Sequence, residues 1–84
     1  MTVSLLFFAA VRELAGRSEM TLALPPGVAT VADLRAHLEA AIPSLAGRLG
    51  SVKWAKNETF VELGARLDEG DVVALIPPVA GGAR

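Results

Sequence analysis

Two apolar runs, Val3 to Phe8 near one end of the chain and Val72 to Ile76 near the other, restrict the possible folds more than any other feature. Both have strand length and neither shows the clean alternation of a strand with one wet face, so both read as strands buried on both faces. Such strands lie in the middle of a sheet, and these two are candidates for parallel neighbours. The second run is bounded by Gly70-Asp71 before it and by Pro77 after it. Pro77 and Pro78 lack amide donors and fix φ near the polyproline value, so sheet pairing stops there and the chain leaves in extended form. From Val79 to Gly82 it reaches about 13 Å at roughly 3.3 Å per residue. Gly81 and Gly82 carry no side chain, so a narrow channel in another protein admits them. A glycine pair alone is also what a frayed end looks like. The anchoring strand, the double proline and the small Val79-Ala80 bridge together describe a terminus that is presented and reactive.

At 84 residues the chain forms one small domain, able to bury roughly 60% of the surface that its unfolded form exposes. Hydrophobic residues make up 52% and charged residues 20%, which is a globular composition with enough apolar material for a core. The formal net charge is -1 and the eight Lys and Arg residues are scattered among acids, which argues against nucleic-acid binding. There is no cysteine, hence no disulfide framework, no thiolate zinc site and no thiol nucleophile. Met1 to Val11 is apolar but lacks a basic leader, and Arg12-Glu13 interrupts it too early for a membrane span. A cytoplasmic protein with no membrane partner is expected.

Between the terminal strands, Ala9 to Ala15 has helix-forming residues and stops at Gly16, a suitable residue for a left-handed helix end. Glu19 to Leu24 offers a strand before Pro25-Pro26-Gly27 turns the chain. Thr30 followed by Asp33 resembles a capping box, and Val31, Leu34, Leu38 and Ala41 or Ile42 then share one face at helical spacing. Pro43 ends this main helix, and Ser44 to Leu49, closed by Gly50, makes one more short turn. Val52 to Ala55 and Thr59 to Leu63 are short strands around Lys56-Asn57-Glu58, where Asn tolerates a positive φ. Asp68-Glu69-Gly70-Asp71 leads into the last strand. The expected fold class is α+β: a mixed sheet of about four to five strands with one main helix on one face, the β-grasp arrangement. Residues 1–78 make up the domain and residues 79–84 a flexible tail carrying Gly-Gly.

The phrase LLFFAAVREL at Leu5 to Leu14, Asn57 in a short turn, and LDEGDVVALIPPVAGG at Leu67 to Gly82 resemble the small, ubiquitin-like sulfur carrier subunit of molybdopterin synthase. The resemblance covers nearly the whole chain, and its two end phrases at this separation are the specific part. The related carrier of thiamin synthesis shares the Gly-Gly ending but is usually shorter and lacks the phrase from Phe7-Phe8 to Arg12-Glu13-Leu14. The resemblance implies a role for Gly82 as the reacting end group. A ubiquitin-activating type adenylyltransferase, using ATP and magnesium that this chain does not itself bind, joins AMP to the glycine carboxylate. A sulfur donor displaces AMP, and the thiocarboxylate passes its sulfur to cyclic pyranopterin monophosphate in the large catalytic subunit, a step of molybdenum cofactor biosynthesis. The chain is then not catalytic by itself.

By the same resemblance, Phe8, Phe60 and Ile76 form an apolar patch for the large subunit, although core packing explains each one separately as well. Pro77, Pro78 and Val79 stiffen and thin the approach to Gly81 and Gly82, and Arg12 either pairs with an acid on the activating enzyme or caps or solvates the first short helix. Ala83 and Arg84 depart from the family pattern, because they put the wrong carboxylate at the end. A peptidase that removes them, a paralogue that keeps them, or a cloning remnant are the open readings. His37 has no second histidine or cysteine to complete a metal site, and Asp68, Glu69 and Asp71 lack the spacing of a calcium loop and read as a polar turn. Trp54 is expected beside the sheet or at its edge. A ubiquitin-like binding module whose tail is never activated, and a sulfur carrier for thiamin or cysteine synthesis, are the alternative functions.

Overall fold

The computed structural model describes residues 1–78. Strand β1 (Thr2–Phe7) leads into helix α1 (Ala9–Ala15), and β2 (Glu19–Ala23) precedes helix α2 (Val31–Ala41). A single 3₁₀ turn (Pro43–Leu45) follows, then β3 (Lys53–Lys56), β4 (Thr59–Val61) and β5 (Val72–Ile76). The five strands form one mixed sheet in the order β2-β1-β5-β3-β4. The two apolar runs are indeed neighbours at its centre and run parallel, with Leu5 opposite Val73 and Phe7 opposite Leu75. All other pairs are antiparallel. With its helices on one face, this is the expected β-grasp fold.

Local chemistry sets the helix ends. Gly16 closes α1 at φ 78°, a conformation that costs a residue without Cβ little, and its amide donates to the Arg12 carbonyl at 2.9 Å. At the start of α2 the capping box is complete: the Asp33 amide donates to Thr30 Oγ1 at 3.2 Å, and the Thr30 amide donates to Asp33 Oδ2 at 3.2 Å. Val31, Leu34 and Leu38 then turn inward together, while Ala41 is exposed and Ile42 is only half-buried. The helix start is held to the chain ahead of β5, because the Val31 amide donates to the Ala65 carbonyl at 3.0 Å and the Leu67 amide to the Ala29 carbonyl at 2.9 Å.

The core lies between α2 and one face of the sheet. Val3, Leu5 and Phe7 of β1, Trp54 of β3 and Val73 and Leu75 of β5 form its floor. Val11, Leu45, Leu49 and Leu67 close its sides. Burying side chains of this size stabilises by about 1.5–3 kcal/mol each before chain entropy is subtracted. Trp54 therefore belongs to the core, not to the side or edge of the sheet: β3 lies between β5 and β4, and its inward register places the indole opposite Leu75 and Val61.

A larger correction concerns the terminal strands. They are apolar on both faces but buried on only one, since β1 alternates strictly between half-buried and buried residues and Val72 is 38% exposed. Both helices lie over the same face, so nothing in residues 1–78 covers the other. Several boundaries also differ by one or two residues. The fourth strand ends at Val61 instead of Leu63 because the Leu63 carbonyl is taken by the Ala32 amide at 2.8 Å. The short turn expected at Ser44 to Leu49 is a three-residue 3₁₀ turn at Pro43–Leu45, with Pro43 in its first position.

Candidate interaction site

Side chains alternate across a strand, so inward Phe7, Val73 and Leu75 imply outward Leu6, Phe8, Val72, Ala74 and Ile76. The Phe8 amide still donates to the Leu75 carbonyl at 3.3 Å, which carries this alternation one residue past the end of β1. On β3 the outward residue is Ala55, which faces Ala74 on one side and Phe60 on the other. Two alanines at the centre of the sheet leave a depression between larger neighbours. The resulting groove has a volume of about 560 Å³ and is walled by Phe8 and Phe60, which are 45% and 65% exposed. Ile76 lines its end, directly before Pro77 and Pro78.

Phe8, Phe60 and Ile76 are thus brought together on one surface. Arg12 is exposed on α1 and does not line the groove, and neither do Pro77 and Pro78. Val79, Gly81 and Gly82 lie outside the described residues. The groove also includes Leu6, Ala55, Val72 and Ala74, which sequence reasoning missed. The period of two along each apolar run carried that signal, had one face been assumed open. A second depression, of about 540 Å³, is lined by Arg35, Trp54 and Val61 among others and shares Phe60 with the groove; none of Phe8, Val72, Ala74 or Ile76 lines it.

One end of the groove is fixed by a polar network. The Asn57 side chain donates to Asp71 Oδ1 at 3.0 Å and accepts from the Val72 amide at 3.0 Å. Asp71 Oδ2 accepts from the Asp68 amide at 2.7 Å. Asp71 is 8% exposed, so it is a buried anchor and not merely part of a polar turn. Burial pushes its carboxyl up, but the hydrogen bonds from the Asp68 amide and the Asn57 side chain, with the charge of Lys56, outweigh this and hold it below the ordinary carboxylate range. The Asp33 carboxyl is likewise held low, first by the Ala29 amide and then by the side chain and amide of Thr30.

The turn between β3 and β4 has only Asn57 and Glu58 at its tip, both at positive φ, 51° and 73°. A two-residue hairpin turn with positive φ at both positions is the form that favours Asn-Gly. Asn57 fits that preference and Glu58 does not. Among the described residues no group of three or more His, Asp or Glu side chains is placed to hold a metal ion, and no helix is long and apolar enough to cross a membrane. What the site offers is an apolar trough on the sheet, lined along β5 by Val72, Ala74 and Ile76.

Comparison with known proteins agrees with this architecture. A molybdopterin synthase sulfur carrier subunit from Chlamydomonas reinhardtii is 39% identical over 84 residues, covering 98% of this chain and 100% of that one. Small archaeal modifier protein 3 from Haloferax volcanii is 40% identical over 93 residues, covering 98% and 100%. Among solved structures, SAMP1 from Haloferax volcanii superposes with a TM-score of 0.85 at 30% identity, covering 98% of this chain and 100% of that chain. A chain in the complex of subunits 1 and 2 of the molybdopterin-converting factor from Helicobacter pylori 26695 superposes with a TM-score of 0.70 at 29% identity, covering 98% and 100%. Residues 5–82 match the ThiS family. The chain belongs to the ThiS family.

Proposed function

We propose that this protein is the sulfur carrier subunit of a molybdopterin synthase, with the groove between Phe8 and Phe60 as its seat on the large catalytic subunit. The observation that carries the reading is an apolar groove that nothing in residues 1–78 covers, lined at one end by Ile76, the last residue of β5. The relatives named as carriers of that synthase, and the similarity to a chain solved in complex with its companion subunit, support it. So does a family match that continues to residue 82.

In this reading the Gly82 carboxylate attacks the α-phosphorus of magnesium-bound ATP on a ubiquitin-activating type enzyme and releases pyrophosphate. A sulfur donor then adds to the acyl carbon, AMP leaves, and the terminus becomes a thiocarboxylate. Its sulfur attacks cyclic pyranopterin monophosphate inside the large subunit, and hydrolysis of the acyl group regenerates the carboxylate. Gly81 and Gly82 keep the reacting end thin enough for two successive active sites. Activation requires Gly82 to be terminal, so Ala83-Arg84 must first be cut away by a peptidase.

The test mixes the chain ending at Gly82, and separately the 84-residue chain, with a family activating enzyme, magnesium-ATP and sulfide, followed by intact mass. Replacement of one oxygen by sulfur in the shorter chain alone is the expected result. If the shorter chain stays unmodified, the carrier reading fails and a docking module with an inert tail takes its place. The Haloferax relative named as a modifier protein favours one second reading, in which Gly82 ends on an amine of another protein. A covalent adduct larger than the sulfur exchange identifies that outcome.

A further inference from the structure

We propose that Glu58 selects the partner of this chain by taking an Arg or Lys side chain of the protein seated in the groove. The inference rests on the docking reading above and adds to it a specificity-determining contact.

Glu58 lines the groove beside Phe60 and Val72 and is exposed. It stands at φ 73° in a turn position where glycine is favoured, so its backbone is strained. A strained residue that packs nothing in the core and borders an open groove marks a functional constraint. Its charge is also free to act. Among the described residues the only ion pair is Arg35 with Glu39, on α2. The nearest lysine in sequence, Lys56, donates its Nζ to the Arg66 carbonyl at 2.9 Å and makes no ion pair with Glu58. Lys53, on the outward side of β3, stands opposite Ile76, whereas Glu58 is at the Val72 end. The groove thus has an apolar floor and, at one end, a carboxylate that makes no ion pair among the described residues. Its complement is a surface with a large apolar side chain, to sit over Ala55 and Ala74, and a basic group beside it. Such a rim charge acts on encounter rate and on rejection of wrong partners more than on final affinity.

The test titrates the chain with the purified large subunit of molybdopterin synthase from the same organism at low and at moderate salt. Glu58→Gly relieves the turn and raises the melting temperature, which keeps folding out of the result. It is expected to weaken binding about threefold, and Glu58→Lys on the order of tenfold and mainly through the association rate, as for a rim charge. Glu58→Asp retains affinity within about twofold, because charge is kept. Both charge-removing variants lose part of the salt dependence. If Glu58→Lys binds as the wild type does while Phe60→Asp does not bind, the role of Glu58 is overturned and the docking reading stands. If the wild type does not bind, both fall.

Discussion

At the centre of the sheet both faces carry apolar residues, and the two faces have opposite fates. On the inner face Val3, Leu5, Phe7, Val73 and Leu75 are sealed under α2. On the outer face Leu6, Phe8, Val72, Ala74 and Ile76, their immediate chain neighbours, stay at least partly open to solvent. Helices α1 and α2 both bury residues in the core on one side, so residues 1–78 supply cover for that face only. An apolar run reports that a surface will be covered; it does not say which molecule covers it.

Neighbouring leucines test the contrast most strongly. Leu5 is fully buried, and Leu5→Ala leaves a cavity expected to cost about 3 kcal/mol, within the range for large core truncations. Leu6→Ala, one residue on, removes a half-buried side chain and is expected to cost less than about 1 kcal/mol in the isolated chain. Urea unfolding of both variants measures the difference. Equal losses would mean that the outer face is structural after all.

The next effect should appear in binding and not in stability. Phe60 is 65% exposed, so Phe60→Asp leaves the urea midpoint almost unchanged. If the groove is the seat of the large subunit, the same change places a charge at an aromatic anchor and weakens association by about 2 kcal/mol or more, roughly thirtyfold. A variant that binds normally in calorimetry sinks the assignment of this face.

A third test uses the polar residue buried where the two faces meet. Asp71→Ala leaves the Asp68 amide and the Asn57 side chain without their acceptor, at a cost of about 1–3 kcal/mol at neutral pH. The native carboxyl titrates below its unfolded value, so its contribution is complete above the ordinary carboxylate range and is lost as pH falls through the lower native value. Unfolding midpoints from pH 7 down to about pH 2 should therefore fall less steeply in the variant than in the wild type. A residual decline belongs in part to Asp33, whose carboxyl is also held low. Parallel profiles for the two proteins would remove Asp71 from the account.

Much of this arrangement was legible in the residues. The capping box at Thr30 and Asp33, the left-handed stop at Gly16 and the parallel central pair follow from local chemistry and run length. The gathering of Phe8, Phe60 and Ile76 was implied by the family resemblance and not by local chemistry; the three line one groove here. What could not be read locally depends on which strand lies beside which. Trp54 is in the core because β5 and β4 flank its strand, and Asp71 is buried because Asn57, fourteen positions earlier, reaches it across the sheet. The open face is of the same kind, since two apolar runs look alike whether one side or both sides are covered by the same chain.

Backbone strain follows the same division and gives the smallest effect. Among the described residues, the non-glycine ones at positive φ are Ala9, Asn57 and Glu58. Asn57 and Glu58 line the groove, and Ala9 follows its wall residue Phe8. No core strand residue among those described shares the feature. Ala9 is exposed at φ 49°, and its backbone carries the left-handed cost, about 1 kcal/mol for an L-residue. Glycine removes that cost but enlarges the unfolded ensemble, which leaves a net gain of a few tenths of a kcal/mol for Ala9→Gly. A substitution that normally weakens a helix should here raise the melting temperature slightly, whereas the same change at Ala10, one residue further into α1, should lower it. If calorimetry shows both variants destabilised alike, the turn at Ala9 is not strained, and the association of strain with the open face reduces to the Asn57-Glu58 hairpin.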